Sequence, residues 1–403
     1  MPVTGFPVGV VGGRWRGRVT PWGALVPDDG SPTLDWWVAA EDRWHTPAAE
    51  RSLRQRVVEG VPVVETSIRV AGGGAVQRTY AVADDGGLTV MEVENRSPAS
   101  FALALSRRDL LTARPPGAAP AAGGDVPPDA LVLPVGHRTT VRVALAHDGR
   151  GAGPLPLSLP TADQVARGWL AQTSCSLDLR LPAAGPTVSL PTVRSELLLD
   201  GPDDPDAGPG FLVGVAELGR LGAGVDPWVD EAMVAAEALG RRSKRARSLR
   251  WTEDAGLGAA REVFERADAF RAARDVVALL RRLPPPEPTP LDVPVGVLAL
   301  AWAQRRVVVG GPDAVDLVPA PFPPEWVGHE LEAYGVPVAG ASGTSTIGLA
   351  VRWHGERPAL LWEVDGPPVR LRCSGLDPAW TSASSRGEAL LSRVPPAAQR
   401  DLR

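Results

Sequence analysis

The sequence predicts a multi-domain α+β protein. An N-terminal antiparallel β-sandwich is expected over residues 1–155, a central domain of helical hairpins over 156–285, and a small C-terminal antiparallel β domain over 286–403. Three observations lead there. Residues 14–147 read as short runs rich in Val, Thr and Ile separated by turn residues. Residues 161–283 change to a helical period, and a proline-rich stretch over 284–290 ends it before strand-like runs return.

In the front part, strands are expected over 22–26, 34–39, 61–70, 76–82, 88–93, 101–105 and 140–145. Asp85-Gly86-Gly87 marks a hairpin turn between two of them. The stretch 114–128, rich in Pro, Gly and Ala without periodicity, reads as an inserted flexible loop. Thr161 and Asp163 are N-cap candidates for a first helix over 165–175, and further helices fit 192–199, 211–221, 228–239 and 257–283. In the last, Val263, Phe264, Ala267, Phe270, Val277 and Leu280 share one face, with Glu262–Arg266 and Arg271–Asp275 on the solvent side. Beyond the prolines, strands are expected over 306–309, 344–353, 359–364 and 369–373, the last three as an antiparallel meander.

Composition excludes several classes of function. The 403 residues carry a net charge of −5, which argues against nucleic acid as a partner. Lys244 is the only lysine in a chain rich in Ala, Gly, Pro, Val and Arg, a usage that points to a GC-rich bacterial coding sequence. Lys244 lies in a basic run, Arg241–Arg250, with no strand–Gly-loop–helix context, so Schiff-base and P-loop chemistry have no carrier. That run reads as a helix C-terminus continuing into a loop. Cys175 and Cys373 are far apart and read as small core residues in a reducing cytoplasm. No signal peptide or membrane span is expected. The five histidines make no metal-ligand spacing, since His329-Glu330 meets Ala333 where a second histidine would stand. No cofactor or metal is expected. Gly340-Ala341-Ser342-Gly343-Thr344 misses the nucleophile-elbow pattern and precedes a strand.

Tryptophan is the informative residue, with 13 against 6 Phe and 2 Tyr. Trp36, Trp37 and Trp44 surround Glu41, Asp42 and His45, and Trp353, His354, Trp362 and Glu363 form a second group in the tail. An indole offers a flat apolar face to a sugar ring while nearby carboxylates accept hydroxyl hydrogen bonds. On a strand, Trp36 and Trp37 point to opposite faces, so one of them is expected outside the local core.

Two stretches carry a family likeness. In one, Leu159-Pro160 leads into Val165-Ala166-Arg167-Gly168-Trp169, where strands pass into a first helix. The other is the tail run over 350–363, AVRWHGERPALLWE. With the order of its domains, the chain resembles the six-hairpin glycosidase-like superfamily of glucoamylase, maltose phosphorylase and glycogen-debranching types. The resemblance implies an oligosaccharide ligand. That family places two carboxylates across the mouth of a twelve-helix ring, and five or six helices over 161–283 cannot close one. A truncated relative is therefore expected to bind carbohydrate without strong catalysis, and no catalytic pair carries over.

Glu217, in an apolar helix, and Glu41 and Asp42 are the remaining acid candidates, with Asp35 beside them. Two other readings stay open: an active glycoside hydrolase or phosphorylase, and an assembly subunit with a protein partner or a homo-oligomeric state.

Overall fold

The computed structural model describes residues 5–113, 126–244, 246–311, 314–340 and 343–392. Most of the expected 114–128 loop, Arg245 of the basic run, and Ala341 and Ser342 of the Gly/Ser turn lie outside the described residues. The protein is a mixed α+β chain of helices and several mainly antiparallel sheets. It divides into two compact units, Met1–Thr173 with Leu198–Asp200, and Ser174–Leu197 with Gly201–Arg403. The helices are α1 (Ala162–Thr173), α2 (Leu190–Asp200), α3 (Pro209–Arg220), α4 (Val229–Ser243), α5 (Trp251–Arg266), α6 (Phe270–Leu280) and α7 (Leu298–Val307). The units divide after Thr173, where the sequence reading draws a seam after 155, and α2–α7 share the second unit with the tail strands, apart from the last turn of α2.

In the first unit a seven-stranded sheet runs Gly153–Pro154, Leu111–Thr112, Thr140–Ala146, Leu88–Asn95, Gly73–Val82, Val63–Val70 and Arg54–Val57 in spatial order. A four-stranded sheet holds Leu131–Val135, Phe101–Leu105, Trp36–Ala39 and Trp44–His45, and a three-stranded one Phe6–Gly9, Arg16–Val19 and Leu25–Pro27. Alternation places one set of side chains from every sheet in a common core, including Val8, Trp36, Phe101, Ile68, Met91 and Val143.

A second core seats α1 on the large sheet. Ala162, Ala166 and Trp169 recur on one helix face against Val63, Tyr80 and Val90. Thr161 caps α1 as expected: its Oγ1 accepts from Gln164 N at 3.3 Å and Gln164 Oε1 accepts from Thr161 N at 2.8 Å. The Asp85-Gly86-Gly87 turn also forms as expected. Gly87 is required there, because its φ is +99° and a Cβ would fall 2.6 Å from His147 Nδ1.

In the second unit the expected 257–283 helix is two helices. Asp268 takes a left-handed φ of +54°, and Ala269 N donates back to Phe264 O, which ends α5. The chain restarts as α6 in a new direction, so the single apolar face does not exist. Phe264 is buried, while Phe270 is 57% exposed. Glu262, expected on the solvent side, is buried although its pairing with Arg266 forms at 3.2 Å. Cys373 is buried and Cys175 is exposed, so only one of the two cysteines is a core residue.

The tail differs as well. Residues 306 and 307 end α7, and only Val308–Gly310 is a strand. Gly343–His354 and Arg357–Asp365 pair antiparallel as expected, but Leu371–Cys373 joins another sheet, parallel to Val315–Leu317. Arg386–Leu390 takes the edge beside Arg357–Asp365 instead. Sequential order cannot reveal which of two short strands pairs with a given neighbour, because both expose the same backbone groups. Among the described residues no helix is long and apolar enough to cross a membrane.

Phe264→Ala should cost about 3–5 kcal/mol in urea denaturation, through lost burial and its cavity. Phe270→Ala should stay within about 0.5 kcal/mol, as an exposed side chain does. A second expectation concerns pH. His147 stacks on Trp15 at 4.1 Å and its Nε2 meets Thr89 Oγ1 at 2.9 Å. Burial, aided by Arg16 and opposed by Asp148 and Asp29, pushes its pKa down to about 4. The unfolded chain therefore binds the extra proton between about pH 6.5 and 4, and the stability His147 contributes is complete above that window and lost as pH falls through it. His147 is only partly buried, so the loss relative to His147→Asn should be on the order of 1–2 kcal/mol between pH 7 and 4, read from chemical denaturation at each pH.

Candidate functional site

The expected tryptophan sites are taken apart by strand alternation. Trp36 and Trp37 do point to opposite faces of their sheet, but both faces are covered. Trp36 lies in the main core and donates through Nε1 to Trp22 O at 3.0 Å. Trp37, 8% exposed, packs with Ala104, Val126, Ala130, Val132 and the half-buried Trp44. The expectation that one indole stands outside the core is corrected: the turn of chain at 126–132 closes the second face.

Glu41 and Asp42 are exposed, and Asp42 Oδ1 lies 3.1 Å from His45 Nε2 while Glu50 Oε1 lies 2.9 Å from His45 Nδ1. The hydrogen bond from His45 holds the Asp42 carboxyl below its usual range. Asp42 thus clasps a hairpin. Asp35 accepts at 3.4 Å from the exposed Trp22, and burial raises its pKa against that bond.

In the tail, Trp362 is buried edge-on to Trp380, with its ring centroid 5.0 Å away, and donates to Ser384 O at 3.0 Å. Glu363, the next residue, is exposed on the opposite face. Trp353 is half-buried, its Nε1 donating to His329 O at 2.8 Å, and His354 beside it is exposed. Neither Trp group therefore forms an open stacking platform with its neighbouring acid. The first group belongs to one compact unit and the second to the other.

Glu217 leads to a different place. It sits on α3, a helix apolar almost all round, and is 1% exposed. Its Oε1 accepts from Ser176 Oγ and Arg194 Nε, both at 2.7 Å, and its Oε2 from Arg220 Nη1 at 3.1 Å. Arg220 also grips Glu262 of α5 in bidentate fashion, Nε to Oε1 at 2.9 Å and Nη2 to Oε2 at 2.5 Å, and Arg266 adds a bond at 3.2 Å. The result is a ladder, Arg194–Glu217–Arg220–Glu262–Arg266, largely buried but ending on the exposed Arg266, with three guanidiniums to two carboxylates. Burial alone would raise the Glu262 carboxyl, but Arg220 and Arg266 outweigh it and hold it below the usual range.

The ladder opens onto a cavity of about 660 Å³ within the second unit. Its apolar wall includes Val213 and Ala216 of α3, Val277 and Leu280 of α6, and Leu249. The polar side carries Arg220, Glu262 and three further held groups. Arg305 Nη1 donates to Asp254 Oδ2 at 2.5 Å and its Nε to Thr289 Oγ1 at 3.2 Å. Asp316 forms an ion pair with Arg372, Nε to Oδ2 at 2.9 Å, and accepts from both the backbone N and Oγ of Ser374, at 2.9 and 2.7 Å. Glu287, on the proline-rich connector, accepts from Ser248 Oγ at 2.7 Å. Comparison with protein-family models, with characterised proteins and with solved structures finds no match.

Of the candidate site residues named from sequence, Glu217 alone connects to this cavity, through Arg220. Arg220, Asp254, Glu262, Arg305 and Asp316 were not singled out as site residues. The i, i+3 spacing of Glu217 and Arg220 was a readable signal; the pairing of Arg305 with Asp254 or Arg372 with Asp316 was not, since tertiary folding makes those contacts. The basic run is likewise dispersed: Arg241 and Arg242 sit in the last turn of α4, while Arg250 precedes α5 and its Nη2 donates to Glu253 Oε1 at 2.7 Å.

Glu217→Gln should destabilise the protein by about 3–5 kcal/mol, because it removes the buried charge that accepts from Arg194, Arg220 and Ser176. Glu41→Gln, at an exposed position, should change stability by less than about 0.5 kcal/mol. Parallel denaturant titrations separate the two acids, and equal effects would show that the ladder carries no such role.

Proposed function

We propose that the protein is a carbohydrate-binding, glycosidase-like chain without strong catalysis, and that the cavity of the second unit receives the sugar. The carrying observation is the cavity's composition: an apolar wall of Val213, Ala216, Val277 and Leu280 facing guanidinium–carboxylate pairs that hold each other in place. A volume of about 660 Å³ lies within the usual range for small-ligand sites. Fixed pairs such as Arg305–Asp254 present a donor and an acceptor side by side, which suits adjacent sugar hydroxyls. The apolar wall suits the C–H face of the ring.

The same pairing argues against hydrolysis. A glycosidase needs a carboxylic acid that keeps its proton near neutral pH, set across the bond from a second carboxylate. Glu262 is held down rather than up. The Asp254 and Asp316 carboxylates are each paired with an arginine, which commits them as acceptors. In this reading the chain keeps a sandwich-like front, helical hairpins and a β tail, in a reducing cytoplasm, as a reduced relative of the six-hairpin group.

Calorimetry with α-glucan and other oligosaccharides should find a dissociation constant in the micromolar to millimolar range, about 4–8 kcal/mol of binding free energy. Asp316→Asn, which loosens Arg372, should weaken binding about tenfold, and no reducing sugar should be released. Absence of binding by every oligosaccharide would remove the carbohydrate reading and favour an assembly subunit. Turnover abolished by Asp254→Asn or Asp316→Asn would make the protein a hydrolase instead.

A further inference from the structure

Resting on the reading of this cavity as a sugar site, we infer that its ligand is an acidic sugar, whose oxyanion is received by Arg261. Arg261 stands on α5 beside Glu262, lines the cavity and is 7% exposed. It is set apart from Arg220, Arg305 and Arg372 there by a buried Nε that meets no hydrogen-bond acceptor. Arg220 is bonded to Glu217 and Glu262, Arg305 to Asp254 and Thr289, and Arg372 is paired with Asp316. Arg261 makes no hydrogen bond to any described residue, and its Nε is buried with no partner. The nearest carboxylate is Glu265 one turn along α5, at 3.6 Å from that Nε, beyond hydrogen-bond reach and itself partly exposed.

Two physical costs meet at this position. A buried guanidinium N–H that meets no acceptor, as at the Arg261 Nε, forfeits its hydration without a hydrogen bond in return. The ladder behind it already holds three guanidiniums to two carboxylates, so no surplus negative charge is available to Arg261 from that side. A ligand oxyanion relieves both. The guanidinium fork matches the two oxygens of a carboxylate, or two of a phosphate, in one plane. With the apolar wall and the held pairs left to contact the ring, the chemistry that fits is a sugar bearing a carboxylate or phosphate group.

The test is calorimetry on the full chain at low salt with four probes. These are maltotriose, a uronate-containing trisaccharide of similar size, glucose 6-phosphate, and inorganic phosphate or acetate alone. At least one acidic sugar should bind ten or more times tighter than maltotriose, and the choice between uronate and phosphate names the anion. Arg261→Gln should bring the ratio of acidic to neutral affinity close to one. Because Arg261 is buried, Glu265→Gln is the companion variant: its partly exposed site tolerates change, and removing the nearest competing carboxylate should raise acidic-sugar affinity several-fold.

Equal affinity for acidic and neutral sugars in the native chain overturns the assignment while leaving a sugar site standing. So does a Glu265→Gln variant with unaltered acidic-sugar affinity, or a folded Arg261→Gln variant that keeps its preference. Inorganic phosphate or acetate binding as tightly as the acidic sugars would overturn the sugar ligand. Absence of binding by all four probes would overturn both readings together.

Discussion

The second unit is organised around one carboxylate. Glu217 lies on a helix whose other residues are mostly Gly, Ala, Val, Leu and Phe, and which is buried almost along its whole length. Packing alone would leave such a helix free to rotate among similar apolar arrangements. A charge within it removes that freedom, because the helix can settle only where donors meet both carboxylate oxygens. Arg194 from α2, Ser176 from the segment before it and Arg220 from α3 itself meet that demand. Arg220 then hands the constraint to α5 through Glu262. Three helices are thereby set in register by a handful of bonds whose desolvation cost makes any other alignment unfavourable.

The cavity follows from this arrangement. It lies where the ladder ends, between the charged edge of α3 and α5 and the apolar side chains of α6. The interactions that make the carboxylates tolerable in a buried setting also commit them as acceptors. Stability and acid catalysis place opposite demands on such groups, since a proton donor must be held up by an apolar setting while Glu262 is held down by Arg220 and Arg266. At Arg261 the buried Nε has no hydrogen-bond partner, and the one carboxylate within ion-pair distance is Glu265 at 3.6 Å.

The tryptophans show how a compositional signal acquires a meaning only with geometry. Their excess over Phe and Tyr is real, and six of the 13 are buried, with Trp36, Trp302 and Trp326 among the largest fully buried side chains. Adjacency in sequence placed indoles beside carboxylates at 36–45 and 353–363. In a strand adjacency means opposite faces, so Trp362 turns inward and Glu363 outward. Covering the second face of the Trp36–Ala39 sheet requires residues nearly a hundred positions away, which no local pattern announces.

How much was legible varies from element to element. The strands over 63–70, 73–82, 88–95 and 140–146 were readable because alternation and turn chemistry are local properties. So was the start of α1, where Thr161 and Gln164 satisfy each other within four residues. The end of α5 was hidden by a single aspartate: Asp268 adopts a left-handed conformation that its neighbours' helical spacing masks. Of the candidate site, the sequence by itself determined that Glu217 is an acid on an apolar helix face with Arg220 three residues on. Only the tertiary structure decided that Arg194, Glu262 and Arg266 complete its ladder, that Arg305 and Arg372 pair with the cavity's Asp254 and Asp316, and that the Arg261 Nε is buried without a hydrogen bond. The reason is physical. Local structure depends on groups a few residues apart, whereas the partner of a buried charge is chosen by packing among segments tens of residues apart in the chain.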